Sequence, residues 1–347
     1  MTLHIGTRGS ELALFQADAV AAQLRAKTGL ACETVVIRTS GDKLADASLA
    51  QIGGKRLFVK EIEDALLDGE IDLAVHSSKD MPVVLPEGLR IAGVLPRADA
   101  RDAVILPGGG KQVRLKADPT SVADPTVRSG PASAGPSGLS VEELVSRLGT
   151  APRIGTSSVR RTAQLARVFA GASFLPIRGN LGTRLRKVDA GEYDALVLAS
   201  AGLIRLQQQA RISASLPIAA CVPAPGQGII AVEIRAHDDR VAAAVAAIDD
   251  AHARAALDAE RAAVVKLGGG CQMPIGAHAT AAGGSLTLTA IVLSLDGTRA
   301  VRAESRGAVH EAARVGTAVA EDLLSRGAAE ILAEVQQAHA AVEGIQP

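Results

Sequence analysis

The chain has 347 residues, 48% of them hydrophobic, and its 37 Lys and Arg balance 37 Asp and Glu. That length and composition suit two or three globular domains with full cores. Neutral bulk charge and scarce aromatics (four Phe, one Tyr, no Trp) argue against a polyanion-coating surface and a base-stacking platform for single-stranded nucleic acid, and no apolar run is long enough to span a bilayer.

Taken in order, Leu3–Gly6 reads as a short strand, and Ser10 to about Lys27 as a helix with Leu12, Phe15, Ala19 and Ala22 on one stripe. Thr34–Arg38 is a strand, Leu57–Leu67 a helix that Gly69 is placed to end, and Ile71–His76 a strand. Such alternation predicts an α/β layered fold. From Pro107 to about Gly138 the chain is rich in Gly, Pro, Ser, Ala and Thr without apolar periodicity, which predicts a mobile surface insertion. Regular structure resumes near Val141, with strands at Ile154, Phe174–Pro176, Ala195–Leu198 and Ile229–Ile234. A helix over Asp249–Leu267 ends at Gly268-Gly269-Gly270. Strands at Ser285–Leu293 and Ala300–Arg306 and a helix over Ala312–Gln336 form a small α+β domain. No basic segment precedes an apolar one at the N-terminus, so no signal peptide is expected. Cys32, Cys221 and Cys271 are odd in number and far apart, which predicts neither a disulfide framework nor a zinc site and points to a reducing cytoplasm.

Charge is local rather than global. Between Leu144 and Val188 stand nine basic residues and no acidic one: Arg147, Arg153, Arg160, Arg161, Arg167, Arg178, Arg184, Arg186 and Lys187. Arg160 and Arg161 fall in the first turn of a helix, an end that is already positive and usually favours acids. Each arginine alone reads as a solvated surface charge. Arg8, Arg160, Arg161, Arg178, Arg184 and Arg205 all following strand ends reads instead as a site for a ligand with several anionic groups, whose charge offsets theirs. Ile5-Gly6-Thr7-Arg8-Gly9-Ser10 and Ile154-Gly155-Thr156-Ser157-Ser158 repeat one strand–turn–helix shape that offers backbone N–H groups to anions.

Asp80, in Val75-His76-Ser77-Ser78-Lys79-Asp80-Met81-Pro82, stands just past a strand end, where it could move protons or stabilise a cation; a plain turn aspartate is the bland alternative. Gly53-Gly54-Lys55 lacks the Ser or Thr and the upstream glycine of a phosphate loop. Gly226-Gln227-Gly228-Ile229-Ile230-Ala231 matches a loose dinucleotide fingerprint, but Pro223 and Pro225 precede it, so a turn or crossover is expected. Cys271 follows three glycines, which leave its thiol accessible to carry a covalent group; otherwise it is a buried loop cysteine.

Together and in this order, Gly6-Thr7-Arg8, Gly53-Gly54-Lys55, Leu57-Phe58-Val59-Lys60-Glu61, Val75-His76-Ser77, Lys79-Asp80, Gly155-Thr156-Ser157-Ser158, Arg160-Arg161, Arg178-Gly179-Asn180, Gly182-Thr183-Arg184, Pro225-Gly226-Gln227-Gly228 and Gly269-Gly270-Cys271-Gln272 resemble the porphobilinogen deaminase family. Gln51, Arg56, Gly9 and Glu11 depart from its usual pattern, and the stretch from Pro107 to Gly138 is longer. The resemblance implies an α/β fold of three domains: two periplasmic-binding-protein-like α/β domains and a small C-terminal α+β domain. The first would be 1–98 plus 229–248, the second 99–228 with the insertion at about 107–138, and the third 249–347. It implies a covalent dipyrromethane, one per chain, on Cys271 through a thioether. Asp80 would be catalytic. Lys79, Ser77, Thr156, Ser157, Ser158, Arg160, Arg161, Arg184 and Arg205 would bind the cofactor, and Arg8, Ser10, Lys55, Phe58 and Arg178 the substrate. Four porphobilinogen units would be joined head to tail with loss of ammonia, by a cytoplasmic monomer that binds neither nucleic acid nor membrane. The same architecture also serves non-enzymatic anion binders, and Cys271 distinguishes the two.

Overall fold

A computed structural model describes residues 2–40, 59–108, 138–270 and 272–343. The chain begins with β1 (Thr2–Thr7), α1 (Glu11–Thr28), β2 (Ala31–Val36), α2 (Lys60–Leu67), β3 (Leu73–Ser77), a 3-10 turn at Ser78–Asp80, and β4 (Leu89–Val94). It continues through β5 (Asp102–Ile105), α3 (Val141–Leu148), β6 (Arg153–Gly155), α4 (Val159–Leu165), β7 (Ser173–Leu175), α5 (Leu181–Asp189), β8 (Ala195–Ala199), α6 (Ser200–Arg205) and β9 (Ala214–Ser215). Then come β10 (Ile230–Arg235), α7 (Asp239–Ala246), α8 (Ala251–Lys266), β11 (Ile275–Ala282), β12 (Ser285–Leu293), β13 (Ala300–Ala308), α9 (Ala312–Leu323) and α10 (Ala329–Glu343).

These strands make three sheets, ordered β2-β1-β3-β10-β4, β7-β6-β8-β5-β9 and β11-β12-β13. The first two follow one plan. β1 runs parallel to β2 and β3, and β6 parallel to β7 and β8. In each sheet an antiparallel strand, β10 or β5, then separates the parallel set from the last strand. The fold is therefore α/β with two similar lobes, whose parallel strands end at a common cleft, and an antiparallel third sheet covered by α8 and α9.

The chain crosses between the lobes twice, and the crossings are tied together. Ala98 N–H donates to Gly228 O (3.0 Å), and Arg97 Nε to Gln227 O (2.9 Å). Gln227 Nε2 donates to Ala100 O (2.7 Å) and Asp102 Oδ1 (2.9 Å). Gly228 has φ +88°, and a Cβ there would lie 2.6 Å from Ala98 O, so this close crossing requires glycine. The Gly226-Gln227-Gly228 motif is thus a strand-to-strand crossing. Glu260 of α8 holds the third domain to the same junction: it pairs with Arg97 (2.5 Å) and accepts from Gly226 N (2.6 Å) and Ala279 N (2.7 Å).

Several local expectations change. The buried stripe of α1 is Gln16, Ala17, Val20, Ala21 and Leu24, while Phe15 is 40% exposed. The stripe shifts because α1 packs on the strands through its small residues and turns Gln16 toward Ser77. The helix expected over Ala312–Gln336 breaks at Gly327, whose φ of +93° interrupts it. β4, β5 and β11 carry no clear signal; β5 opens on an aspartate, which reads as a turn residue. The insertion expected over 107–138 lies almost entirely outside the described residues.

Candidate active site

The cleft is built from strand ends. β3 delivers His76 and Ser77, and the 3-10 turn that follows presents Lys79 and the exposed Asp80. Ser77 Oγ accepts from Gln16 Nε2 (2.7 Å), which fixes its hydroxyl. Arg261 of α8 donates to Pro82 O (3.0 Å) and Val83 O (2.5 Å), bracing the chain just past Asp80. Burial brings the Lys79 ammonium down to about 8, Asp80 and Asp102 oppose this, and Arg161 and Arg160 add to it.

The two corners with the repeated turn close the cleft from either side. Ser10 caps α1 by accepting from Ala13 N (3.3 Å), and Ser158 caps α4 by accepting from Arg161 N (3.4 Å). Thr156 Oγ1 accepts from Ser158 N (3.3 Å). Ser157 Oγ donates to Ile177 O (2.8 Å) and accepts from Ile177 N (3.0 Å), bracing the neighbouring loop.

One expectation is corrected here. Arg160 and Arg161 do not depend on a ligand alone for charge balance, because they share the buried Asp102 of β5, each at 2.8 Å. Burial raises the Asp102 carboxyl, but the two guanidiniums override that and hold it well below the usual carboxylate range. Arg160 also donates to Val222 O (2.7 Å), and Arg161 to Val197 O (3.0 Å). Cys221 is drawn into this cluster, 3.3 Å from Asp102, and burial pushes its thiol up to about 12. Two guanidiniums against one carboxylate leave one positive charge in excess. Arg160 Nε is buried without a hydrogen-bond partner among the described residues.

Arg184 donates to Gly179 O (2.8 Å); burial lowers its pKa, as do Arg161 and Arg178, while Asp80 opposes them. Lys79 and Arg184 therefore feel the Asp80 charge, and Arg161 and Arg178 add to the positive charge around Arg184. Asn180, beside Arg178, caps α5 by accepting from Thr183 N (2.9 Å). Arg205 stands apart at the crossing, donating to Gly228 O (2.7 Å), and burial lowers it to about 10.

Some of these side chains line two hollows. One, of about 420 Å3, holds Arg8, Ser10, Gln16, His76, Ser77 and Asp80. The other, of about 630 Å3, lies where the three domains meet and is lined by Lys79, Ser158, Arg160, Arg261 and Gly270, with Met81, Leu257, Met273 and Ile275 as its apolar wall. Lys55, Phe58 and Cys271 lie outside the described residues; Gly270 lines the larger hollow. An apolar wall with three cations and an orphaned Arg160 Nε suits a flat, carboxylate-bearing pyrrole group. Sequence reasoning missed Gln16, Asp102 and Arg261. Asp102 gives no local signal, and Arg261 reads as one more helix-surface charge.

Residues 3–243 match the family model for the porphobilinogen deaminase dipyromethane cofactor binding domain, and residues 255–325 the model for its C-terminal domain. A porphobilinogen deaminase of Geobacter metallireducens is 43% identical over 342 residues, covering 98% of this chain and 97% of that one. One of Desulforudis audaxviator is 44% identical over 333 residues, covering 96% and 97%. A solved methionine-binding protein aligns at 11% identity with a TM-score of 0.40, covering 71% of this chain and 88% of that one.

Proposed function

This chain belongs to the porphobilinogen deaminase family, and from that premise we propose that the cleft around Asp80 is where its chemistry occurs. The enzyme is a transferase that joins porphobilinogen units into a linear tetrapyrrole, hydroxymethylbilane, with release of ammonia and from a dipyrromethane cofactor. When bound, that cofactor supplies the pyrrole carbon from which the chain starts.

The observation that carries the reading is Asp80 in a cleft whose walls carry Arg8, Lys79, Arg160 and Arg261. Cys271 holds the cofactor through a thioether. Lys79, Ser77, Thr156, Ser158, Arg160, Arg161 and Arg184 offer donors and positive charge to its acetate and propionate groups, and Arg205 supports them from the crossing. Ser157 acts indirectly, by holding the Ile177 loop. Arg8, Ser10, Lys55, Phe58 and Arg178 receive the incoming substrate. Loss of ammonia from porphobilinogen leaves an azafulvenium cation, which the Asp80 carboxylate stabilises. The arginines retain a product that gains carboxylates with each addition, and their fixed pairing with Asp102 keeps them oriented while it grows.

We assign residues 1–98 and 229–248, 99–228, and 249–347 to three domains, because β10 re-enters the first sheet while Glu260 anchors the third. We read the protein as a monomer, and the pairing of Arg160 and Arg161 with a buried carboxylate is a layout unsuited to nucleic acid. Among the described residues no helix is long and apolar enough to cross a membrane, and reduced Cys32 and Cys221 suit the cytoplasm. Intact mass spectrometry tests the reading: active protein should exceed its sequence mass by two pyrrole units, and Cys271→Ala should lack the increment. An active protein at bare sequence mass would overturn it.

A further inference from the structure

The sheet face of β3 carries a buried ionisable pair that the reading above does not use. His76 Nε2 lies 3.1 Å from Glu233 Oε2, with the side chains 4% and 0% exposed. Glu233 comes from β10, where it pairs with Ala74, and so it shares a sheet face with His76. The register of β10 against β4 shifts between Val232 and Glu233. Such a bulge re-aims a side chain and is common beside active sites. Apolar residues of equal volume would stabilise a central strand as well as this pair does, so stability does not account for it. His76 also lines the hollow that holds Asp80, immediately before Ser77.

Each condensation releases a proton. The substrate enters with its aminomethyl group protonated, and its C–N bond breaks with the electron pair leaving on nitrogen as ammonia. The methylene carbon bonds to the α-carbon of a neighbouring pyrrole unit, and that carbon's C–H pair then returns to the ring as the proton departs. One proton is freed per ammonia, and the ammonia can carry it away as ammonium. Asp80 is occupied by the cation, so a second group near it would serve as the first acceptor. Resting on the function given above, we propose that His76 accepts this proton at Nδ1 and that Glu233 is a positioning residue that holds Nε2–H and so aims the ring at the cleft. A carboxylate behind an imidazole fixes its tautomer and steadies the imidazolium when it forms. Other charged groups around His76 include Arg8 and Asp80, which line the same hollow, Lys79 in the turn after β3, and Glu63 on the buried face of α2, which packs on β3 and β10.

The test uses holoenzyme labelled with 15N-histidine, after its mass has shown the pyrrole increment. The His76 resonances, identified by their loss in His76→Gln, should titrate at Nδ1 with Nε2 protonated throughout. Glu233→Gln should lower kcat about 100-fold, with KM changed less than about twofold. It should also move the acid limb of kcat/KM to lower pH, because an imidazolium without its carboxylate gives up its proton more readily. Glu233→Asp should restore part of the rate. The opposite tautomer in the wild type would overturn the proposal, even if the variants fail to fold. So would a Glu233→Gln enzyme whose rate falls only in step with its thermal stability, with the acid limb unmoved. A holoenzyme lacking the mass increment would instead overturn the functional reading, so the two failures are distinguishable.

Discussion

The two corners that face the cleft, Gly6-Thr7-Arg8-Gly9-Ser10 and Gly155-Thr156-Ser157-Ser158, share a strand, a turn and a serine cap, yet they balance charge differently. The first places one arginine near the cleft and follows its cap with Glu11, the acid that a helix start favours. The second packs Arg160 and Arg161 into the start of α4 and sets against them one carboxylate, Asp102, from a strand 58 residues earlier than Arg160. The same local motif can therefore leave an arginine at the cleft rim or lock two of them onto a buried carboxylate, depending on what tertiary structure sets behind it. The two aspartates show the same contrast: Asp80 is exposed in the cleft, while Asp102 is sealed beneath it.

The largest expected effect separates those aspartates. Asp80→Asn should lower kcat by about 10^2- to 10^4-fold while the denaturation midpoint stays near that of the wild type; steady-state kinetics beside a urea titration would check both. A well-folded Asp80→Asn enzyme with normal turnover would break the contrast. Asp102→Asn should do the reverse, costing about 3–5 kcal/mol of stability because it leaves two buried guanidiniums without a counter-charge, which equilibrium unfolding would measure. Ser10→Ala and Ser158→Ala should each cost about 1 kcal/mol if the corners are locally equivalent caps, and a clear inequality would show that their environments dominate.

The smallest effect concerns Lys79. Its folded pKa, about 8, lies below the ordinary lysine value of 10.5. Between those values the unfolded chain holds a proton that the folded chain has lost, so this group makes stability rise with pH across the window. Lys79→Met should flatten that rise relative to wild type in unfolding measured at pH 8 and pH 10. An unchanged slope would remove Lys79 from the buried wall.

Much of the fold was legible in residues. Alternating apolar runs and caps marked β1, α1, β3, β8 and α8, because burial on one face imposes a period. The Gly-Gln-Gly crossing was readable from the prolines before it. β5 was not, because a four-residue strand opening on Asp102 carries a turn signal whose true meaning is an ion pair with a distant helix. The α1 stripe was displaced by one position, because alanine-rich helices give several faces of similar apolarity and the sheet chooses among them. At the site, Asp80 and the arginines stood out as charged residues after strand ends, whereas Gln16, Arg261 and the Glu233–His76 pair were silent.

By itself, then, the sequence determined the alternating elements, the two repeated corners, the lone aspartate past β3 and the family to which the chain belongs, all of which depend on neighbours within a few residues. Only the tertiary structure decided that Asp102 pairs with both Arg160 and Arg161, that Glu260 and Arg97 join three domains at one crossing, and that Glu233 stands behind His76. Those pairings join residues between 58 and 163 positions apart. Their stability comes from low-dielectric burial that exists only once the sheets have assembled, and no local pattern along the chain encodes it.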